Sequence, residues 1–163
     1  MSIPGYKSRA FSKEFIPVDV FQEISYSKID NSTAAATLLD HMISKGKLIY
    51  FTDLMLPEYA DSLKIKFPST KLDWCNKNEK NIWAFIIENK LLYSTDPIVM
   101  RDLIDDAPFT KGFGEQSPGR IGVWLGWKIV SSYMNNHPDQ HPSDLFSNQN
   151  SQEILKKSLY KPK

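Results

Sequence analysis

The sequence predicts a single, mostly α-helical domain. Apolar residues recur at the 3.6-residue period of a helix in several segments, and no segment shows the clean two-residue alternation of a half-buried strand. A length of 163 residues suits one domain, long enough to bury about 70% of the surface that the unfolded chain exposes. Residues 1–163 are therefore predicted to form one domain, without an internal repeat or a low-complexity tract.

Two helices are predicted in the first third of the chain. The first covers Val18 to Lys28, and a break follows, where Ser32 is a candidate cap for the next helix. The second begins near Ala34 and continues until Pro57 stops it, and Gly46 marks a predicted kink or join within it. Its apolar positions at the helical period are Leu38, Leu39, Met42, Ile43, Leu48, Ile49, Phe51 and Leu54.

Three further helices are predicted from apolar period and capping patterns. One spans Lys80–Tyr93, and Asp96 provides the cap of another that covers Pro97–Ile104. A last helix follows Asn150, because Glu153 three positions later completes a capping-box pattern. The buried face of the first of these three is predicted to hold Trp83, Ile86, Ile87 and Leu91.

The segment from Ser117 to Met134, SPGRIGVWLGWKIVSSYM, is predicted to be a buried helix that other elements pack around. Pro118 suits a first helical position, and small residues on one side let a second helix approach closely. Arg120 and Lys128 interrupt the apolar run well short of the roughly 20 residues that span a bilayer, so no transmembrane segment is predicted. One side is predicted to carry Val123, Trp127, Val130 and Met134, and another Gly119, Gly122 and Gly126.

Charge and cysteine content exclude several function classes. Lys plus Arg number 20 against 19 for Asp plus Glu, so no global field recruits nucleic acid, and no nucleic-acid partner is predicted. Cys75 is the single cysteine, which excludes an intrachain disulfide and an all-cysteine zinc cluster. The sequence lacks a G-x-S-x-G nucleophile elbow and a phosphate-binding loop, and no cofactor is predicted. Because the first fifteen residues lack an apolar signal core and a lipid-accepting cysteine, we expect a cytoplasmic chain or one whose leader lies outside this sequence.

Histidines and carboxylates are the remaining candidates for chemistry. His137 and His141 have the spacing of a helical metal site, but a proline follows each and disfavours helical geometry, so no metal site is predicted. Glu23 and Glu88 fall in amphipathic helices, where a desolvated acid serves either as a general base or as the partner of an arginine. Arg120 is expected to be the arginine that is held internally.

Three segments carry a resemblance to a known family. They are ENKLLYSTDP at Glu88–Pro97, DAPFTKGFGEQSPGRIGVWLGWKIVSSYM at Asp106–Met134 and the terminal SLYKPK. Together they resemble the C-terminal part of the gliding-motility lipoprotein GldB family, in an ordered match that spans essentially all of the chain. The resemblance implies an envelope lipoprotein whose signal and leading segment precede this region, associated with motility and the type IX secretion apparatus. It also implies a fold similar to the C-terminal part of a gluzincin-type zinc peptidase.

The similarity to peptidases has a consequence for the site. A gluzincin carries H-E-x-x-H on one helix and an acidic third zinc ligand on a second helix. By resemblance the first motif corresponds to residues 22–26, where Glu23 is kept and Gln22 and Tyr26 replace the two histidines. Lys45 stands where the acidic ligand would be. The resemblance therefore implies a degenerate site without metal, whose old substrate cleft near Glu23, Tyr26 and Lys45 is a ligand or peptide groove.

The predicted function is a non-catalytic, peptidase-like scaffold of the cell envelope that supports gliding motility or type IX secretion through contacts with other envelope proteins. Structural or groove roles are predicted for Glu88, Arg120, Gly122, Trp124, Gly126 and Trp127. Two alternatives stay open. One is an active zinc metallopeptidase with ligands such as Glu23, His41 or Glu88, and the other is a cytoplasmic regulatory module.

Overall fold

Helices form the framework of the chain, and the prediction of a mostly α-helical fold is confirmed. The computed structural model describes residues 12–27 and 36–163, and no strand occurs among them. The helices are α1 (Ile16–Tyr26), α2 (Leu38–Met55), α3 (Asp61–Lys64), α4 (Ser69–Lys77), α5 (Glu79–Glu88), α6 (Pro97–Leu103), α7 (Ile121–Asn135), α8 (Pro142–Ser147) and α9 (Ser151–Ser158). Short 3-10 turns lie at Lys13–Phe15 and Lys111–Phe113.

Capping side chains fix several of the helix starts. The Thr37 amide donates to the Asp40 carboxylate at 2.8 Å, and the Asp40 amide donates back to the Thr37 hydroxyl at 3.3 Å, which forms a reciprocal capping box at α2. The predicted caps Asp96 and Asn150 accept backbone hydrogen bonds at the starts of α6 and α9. The cap predicted at Ser32 lies outside the described residues.

The centre of the fold is the contact between α2 and α7, the most extensive one between helices of the described chain. A Cβ atom on Gly126 would overlap the Met42 carbonyl oxygen, and one on Gly46 would overlap the Gly126 carbonyl group. The two backbones therefore touch where neither helix carries a side chain. The kink predicted at Gly46 is wrong, because α2 runs unbroken through this residue and uses it for the close approach.

Apolar side chains from several helices close the core around this contact. Helix α9 packs on both α7 and α2, and α1 packs along α2. Ile82 and Ile86, one turn apart on α5, are fully buried, whereas Ile87 is 45% exposed, so its predicted burial is wrong. Helix α5 also ends at Glu88 rather than continuing to Tyr93. The largest fully buried core residues include Phe15, Leu38, Leu39, Met42, Ile43, Ile65, Ile121, Trp124, Leu125 and Ile129.

Helix α7 begins three residues later than predicted. The Thr110 hydroxyl donates to the Pro118 carbonyl oxygen at 2.8 Å, and a Cβ atom on Gly119 would overlap the Ala107 carbonyl oxygen. These contacts hold residues 117–119 against the preceding loop, so Pro118 is not the first helical residue and Gly119 does not lie on the helix. Arg120 precedes the helix with φ +55°, a left-handed backbone conformation.

Lys47 is the unusual member of the α2 core face. It is 4% exposed, and its ammonium group donates to the Asn148 carbonyl oxygen at 2.6 Å. Within the part of the chain that the structure describes, no carboxylate lies within ion-pair distance of it. Burial lowers the pKa of Lys47 from 10.5 to about 8. A buried lysine that is charged at neutral pH therefore opposes folding.

Replacing Gly126 with alanine should destabilise the fold by about 3 kcal/mol, because the added methyl group meets backbone that cannot move without separating α2 from α7. Urea unfolding measures this change. Gly112→Ala is the matched control, since its Cβ meets the tip of the Phe85 ring at 2.9 Å, which can rotate away. Alanine in place of an unobstructed helical glycine stabilises a helix by about 1 kcal/mol, so a Gly126→Ala chain as stable as the parent or more stable would contradict the close approach.

Lys47→Met should stabilise the chain by about 1–2 kcal/mol near neutral pH, because it removes a buried charge. Between about pH 8 and 10.5 the unfolded chain binds more protons at Lys47 than the folded chain, so the parent gains stability as pH rises through this window. The advantage of the variant should therefore shrink over the same range. Chemical unfolding of both chains across this pH range measures the difference between their unfolding free energies. The contributions of the other titrating groups cancel in this difference, because both chains contain them. A pH-independent difference would show that Lys47 is not neutralised by burial.

Candidate functional site

A cleft of about 410 Å³ opens between α1, α2 and the start of α7. Its walls mix carboxylates, cations, an amide and a phenol with four aliphatic side chains. The lining residues are Gln22, Glu23, Tyr26, Lys45, Leu48, Ile49, Ile104, Asp105, Asp106, Arg120 and Val123. Such a surface suits a ligand that combines apolar and charged groups.

Antiparallel packing of α1 on α2 builds one wall of the cleft. At one end of the pair the Lys45 ammonium lies 5.3 Å from the centroid of the Tyr26 ring, and further along the rings of Phe21 and Phe51 meet edge to face at 6.3 Å. This arrangement turns one face of α1 toward the middle of α2. The residues that the resemblance singled out all line this one cleft: Gln22, Glu23, Tyr26 and Lys45.

Each of these four side chains has a distinct environment. The Gln22 amide donates to the Lys64 carbonyl oxygen at 2.9 Å, so it ties α1 to the end of α3. Glu23 and Tyr26 are exposed at the rim. Lys45 lies over the Tyr26 ring, a cation–π contact that stabilises an exposed site by about 0.5–1 kcal/mol. The four residues thus offer hydrogen-bonding and charged groups to solvent at the mouth of the cleft.

Arg120 forms the opposite wall. Its Nε lies 2.9 Å from a carboxylate oxygen of Asp106 in an ion pair, its Nη2 donates to the Ile65 carbonyl oxygen at 3.1 Å, and its guanidinium lies 5.7 Å from the centroid of the Phe67 ring. Burial lowers the pKa of Arg120, and the charge of Asp106 acts in the opposite direction. The prediction that Arg120 is held internally by an ion pair agrees with this geometry, with Asp106 as the partner rather than Glu23 or Glu88.

The other residues predicted for a groove do not line the cleft. Glu88 is exposed at the end of α5. Gly122 lies against the Leu103 carbonyl group, and Gly126 makes the α2 contact described above. Trp124 is 1% exposed and Trp127 6% exposed, and the Trp127 indole nitrogen has no hydrogen-bond partner within residues 12–27 and 36–163. The last four of these residues build the core instead.

Histidine and cysteine positions bear on metal binding. His41 lies on α2 outside the cleft lining. His137 hydrogen-bonds the Tyr133 carbonyl oxygen at 2.7 Å, and His141 caps α8, so neither belongs to a helical metal pair. Cys75 is fully buried, and burial raises the pKa of its thiol to about 12. The described ranges contain no group of three or more metal-binding side chains.

Asp105 and Asp106 belong to the cleft but were not predicted from the sequence. They follow α6 and precede Arg120, which lines the same cleft, by fifteen and fourteen residues. They reach the cleft only because the loop between α6 and α7 folds back. The hydrophobic period of a single segment does not predict such a fold of a loop. Asp106 does open one of the three resembling segments, and that segment also contains Arg120. The presence of both residues in this one segment was the sequence feature from which Asp106 could have been predicted.

Comparison with known proteins places the chain in a family. In the described part of the chain no helix has the length and apolar character needed to cross a bilayer. No curated protein and no solved structure shows a match to the sequence. The family model described as "Gliding motility protein GldB" matches residues 1–162. The chain therefore belongs to the GldB gliding motility family.

Proposed function

We propose that the chain is a non-catalytic, peptidase-like scaffold of the cell envelope that supports gliding motility or the type IX secretion machinery through protein–protein contacts. The cleft between α1, α2 and the start of α7 is its binding groove. Family membership supports the link to motility. The observation that carries the groove is that Lys45 on α2 lines the same cleft as Gln22, Glu23 and Tyr26 on α1.

The chemistry of the cleft supports binding rather than hydrolysis. A zinc peptidase needs nitrogen or sulfur donors with carboxylates in the minority, and the cleft lining contains no histidine or cysteine. Of the ligands considered for an active enzyme, Glu23 lines the cleft, whereas His41 and Glu88 do not. The charged and apolar lining instead suits reversible contact with a segment of another protein.

Charge reversal in the groove should impair motility. We expect Glu23→Lys and Lys45→Glu to reduce colony spreading of cells that depend on the chain, while unfolding free energies change by about 0.5 kcal/mol or less, because both residues lie at the surface of the cleft. Glu88→Lys and Lys80→Glu, on exposed positions of α5, make the same charge changes outside the cleft and serve as matched controls. Equal spreading of all four strains would refute the groove.

The purified chain should retain no stoichiometric zinc after dialysis against the metal, and it should cleave no peptide in a mixed-substrate digest, because the cleft lacks a nitrogen or sulfur ligand set. Metal content is measured by mass spectrometry. Glu23→Gln is the control, since a peptidase would lose its water-activating base in this variant. Retained zinc together with cleavage that Glu23→Gln abolishes would establish the metallopeptidase alternative.

A further inference from the structure

Arg120 lies at the junction of two cavities. Besides the cleft, a second cavity of about 340 Å³ opens on the other side of this residue, and both cavities are lined by Asp106 and Arg120. The second cavity is also lined by Lys66, Phe67, Pro68, Lys71, Ala107, Pro108, Pro118 and Gly119. The two cavities thus share the Arg120–Asp106 pair as a common wall.

The backbone at Arg120 is held in a conformation that its residue type disfavours. Its φ of +55° is in the left-handed region, which residues other than glycine rarely adopt. Such residues persist where the surroundings over-determine them, and they concentrate at binding sites. Here the flanking contacts are the Gly119–Ala107 approach and the hydrogen bond from Arg120 to the Ile65 carbonyl oxygen. The chain therefore holds this side chain in one fixed position between the cavities.

The guanidinium keeps unused donor capacity. An arginine side chain has five N–H donors, and the contacts of Arg120 with Asp106 and Ile65 engage its Nε and Nη2 atoms. The Arg120 side chain is 25% exposed, whereas that of Asp106 is 66% exposed. The carboxylate that balances the arginine thus stands mostly in water, where an exposed ion pair is weak and easily exchanged.

The lining of the second cavity carries more positive than negative charge, which disfavours a cationic ligand, and the rest of its wall suits an apolar group. Lys66, Lys71 and Arg120 face a single carboxylate, Asp106, within its lining. Lys66 pairs with Asp19, whereas Lys71 donates to the Glu115 and Ser117 carbonyl oxygens. Among the residues that the structure describes, Lys71 has no ion-pair partner, so it adds positive charge to the cavity. The remaining wall is apolar, formed by Phe67, Pro68, Ala107, Pro108 and Pro118.

We propose that Arg120 binds the carboxylate of an extended peptide segment, in exchange for Asp106, while an apolar side chain next to that carboxylate fills the second cavity. The inference rests on the proposed function and names the chemistry of the partner. A bidentate contact between a guanidinium and a carboxylate is among the stronger polar interactions in proteins. The carboxylate comes either from an acidic side chain or from the end of a chain, since both present the same group.

Four short peptides test the proposal and separate the two sources. They are acetyl-Val-Phe-Glu-Val-amide, the same peptide with Gln for Glu, acetyl-Val-Phe-Val with a free carboxylate, and its amide. Each is titrated into the isotope-labelled chain while amide NMR shifts are followed. We expect shifts at residues 104–107 and 119–123, and affinities about tenfold higher for a carboxylate peptide than for its neutral counterpart. The source that shows this preference is the one the groove binds.

Two variant pairs test the role of Arg120. Arg120→Asn removes the guanidinium but tolerates the left-handed backbone, and it should abolish the preference for a carboxylate. Arg101→Asn changes the same charge on exposed α6 and should keep the preference. Asp106→Asn removes the carboxylate that competes for Arg120. Its control is Asp105→Asn, which removes the same charge from the cleft without removing that competitor. We expect Asp106→Asn to bind the carboxylate peptide about threefold more tightly than Asp105→Asn, or more.

The outcomes distinguish this proposal from the function on which it rests. Equal binding of carboxylate and neutral peptides in the groove would overturn the role of Arg120 and leave a peptide-binding scaffold standing. If no peptide causes NMR shifts, the proposal about Arg120 is overturned. The proposed scaffold function is tested separately, by the colony-spreading assay of the Glu23 and Lys45 variants. If Arg120→Asn does not fold, the Asp106→Asn comparison decides, and unchanged or weaker binding in that variant refutes the exchange.

Discussion

The close backbone contact between α2 and α7 is the constraint on which the rest of the structure depends. With glycine at positions 46 and 126, the helices approach until a side-chain carbon has no room between them. That approach brings the apolar faces of both helices into one core, which α9 and α1 then cover. It also sets the site, because Lys45 precedes one of these glycines and Arg120 precedes the helix that carries the other. The separation of the cleft walls is thus fixed by the packing of the core.

A second constraint is the polar network that folds the loop between α6 and α7 back on itself. The Thr110 amide donates to the Ser117 hydroxyl at 3.0 Å, and that hydroxyl donates to the Gly114 carbonyl oxygen at 2.7 Å. Both Thr110 and Ser117 are buried, so their polar groups need these partners. The closed loop holds Asp106 beside Arg120, which forms an ion pair with it.

The sequence predicted those features that depend on local pattern. The helical period identified the longer helices, and the capping residues Asp96 and Asn150 marked two starts correctly. Three short helices, α3, α4 and α8, were not predicted, because four to nine residues carry too little period to detect. The start of α7 was misplaced because Pro118 favours a helix locally, while its carbonyl group is engaged by a residue eight positions earlier. Such a hydrogen bond between two loop residues does not alter the spacing of apolar residues, so the sequence pattern does not predict it.

Part of the cleft lining was also predicted, but from family resemblance and not from local sequence pattern. Gln22, Glu23, Tyr26 and Lys45 came from family resemblance, which carries information about tertiary arrangement that a single helix pattern lacks. For the tryptophans and glycines of α7 the sequence left a structural role and a groove role open, since an apolar segment looks alike whether it lines a groove or fills an interior. In the structure these residues serve the core. Asp106, the acidic partner of Arg120, was missed because its position is set by the loop.

The distribution of buried ionisable groups supports the binding role that we propose for the cleft. Enzymes concentrate strongly shifted pKa values in their active sites, where an acid or base must titrate near the working pH. Here three buried groups with a lowered or raised pKa, Lys47, Lys64 and Cys75, do not line the cleft. Arg120 does line the cleft, and burial lowers its pKa, but a guanidinium stays charged in proteins and transfers no proton. A partly desolvated, permanently charged group in a fixed position is suited to hold an anionic ligand in place, which is the task of a binding groove.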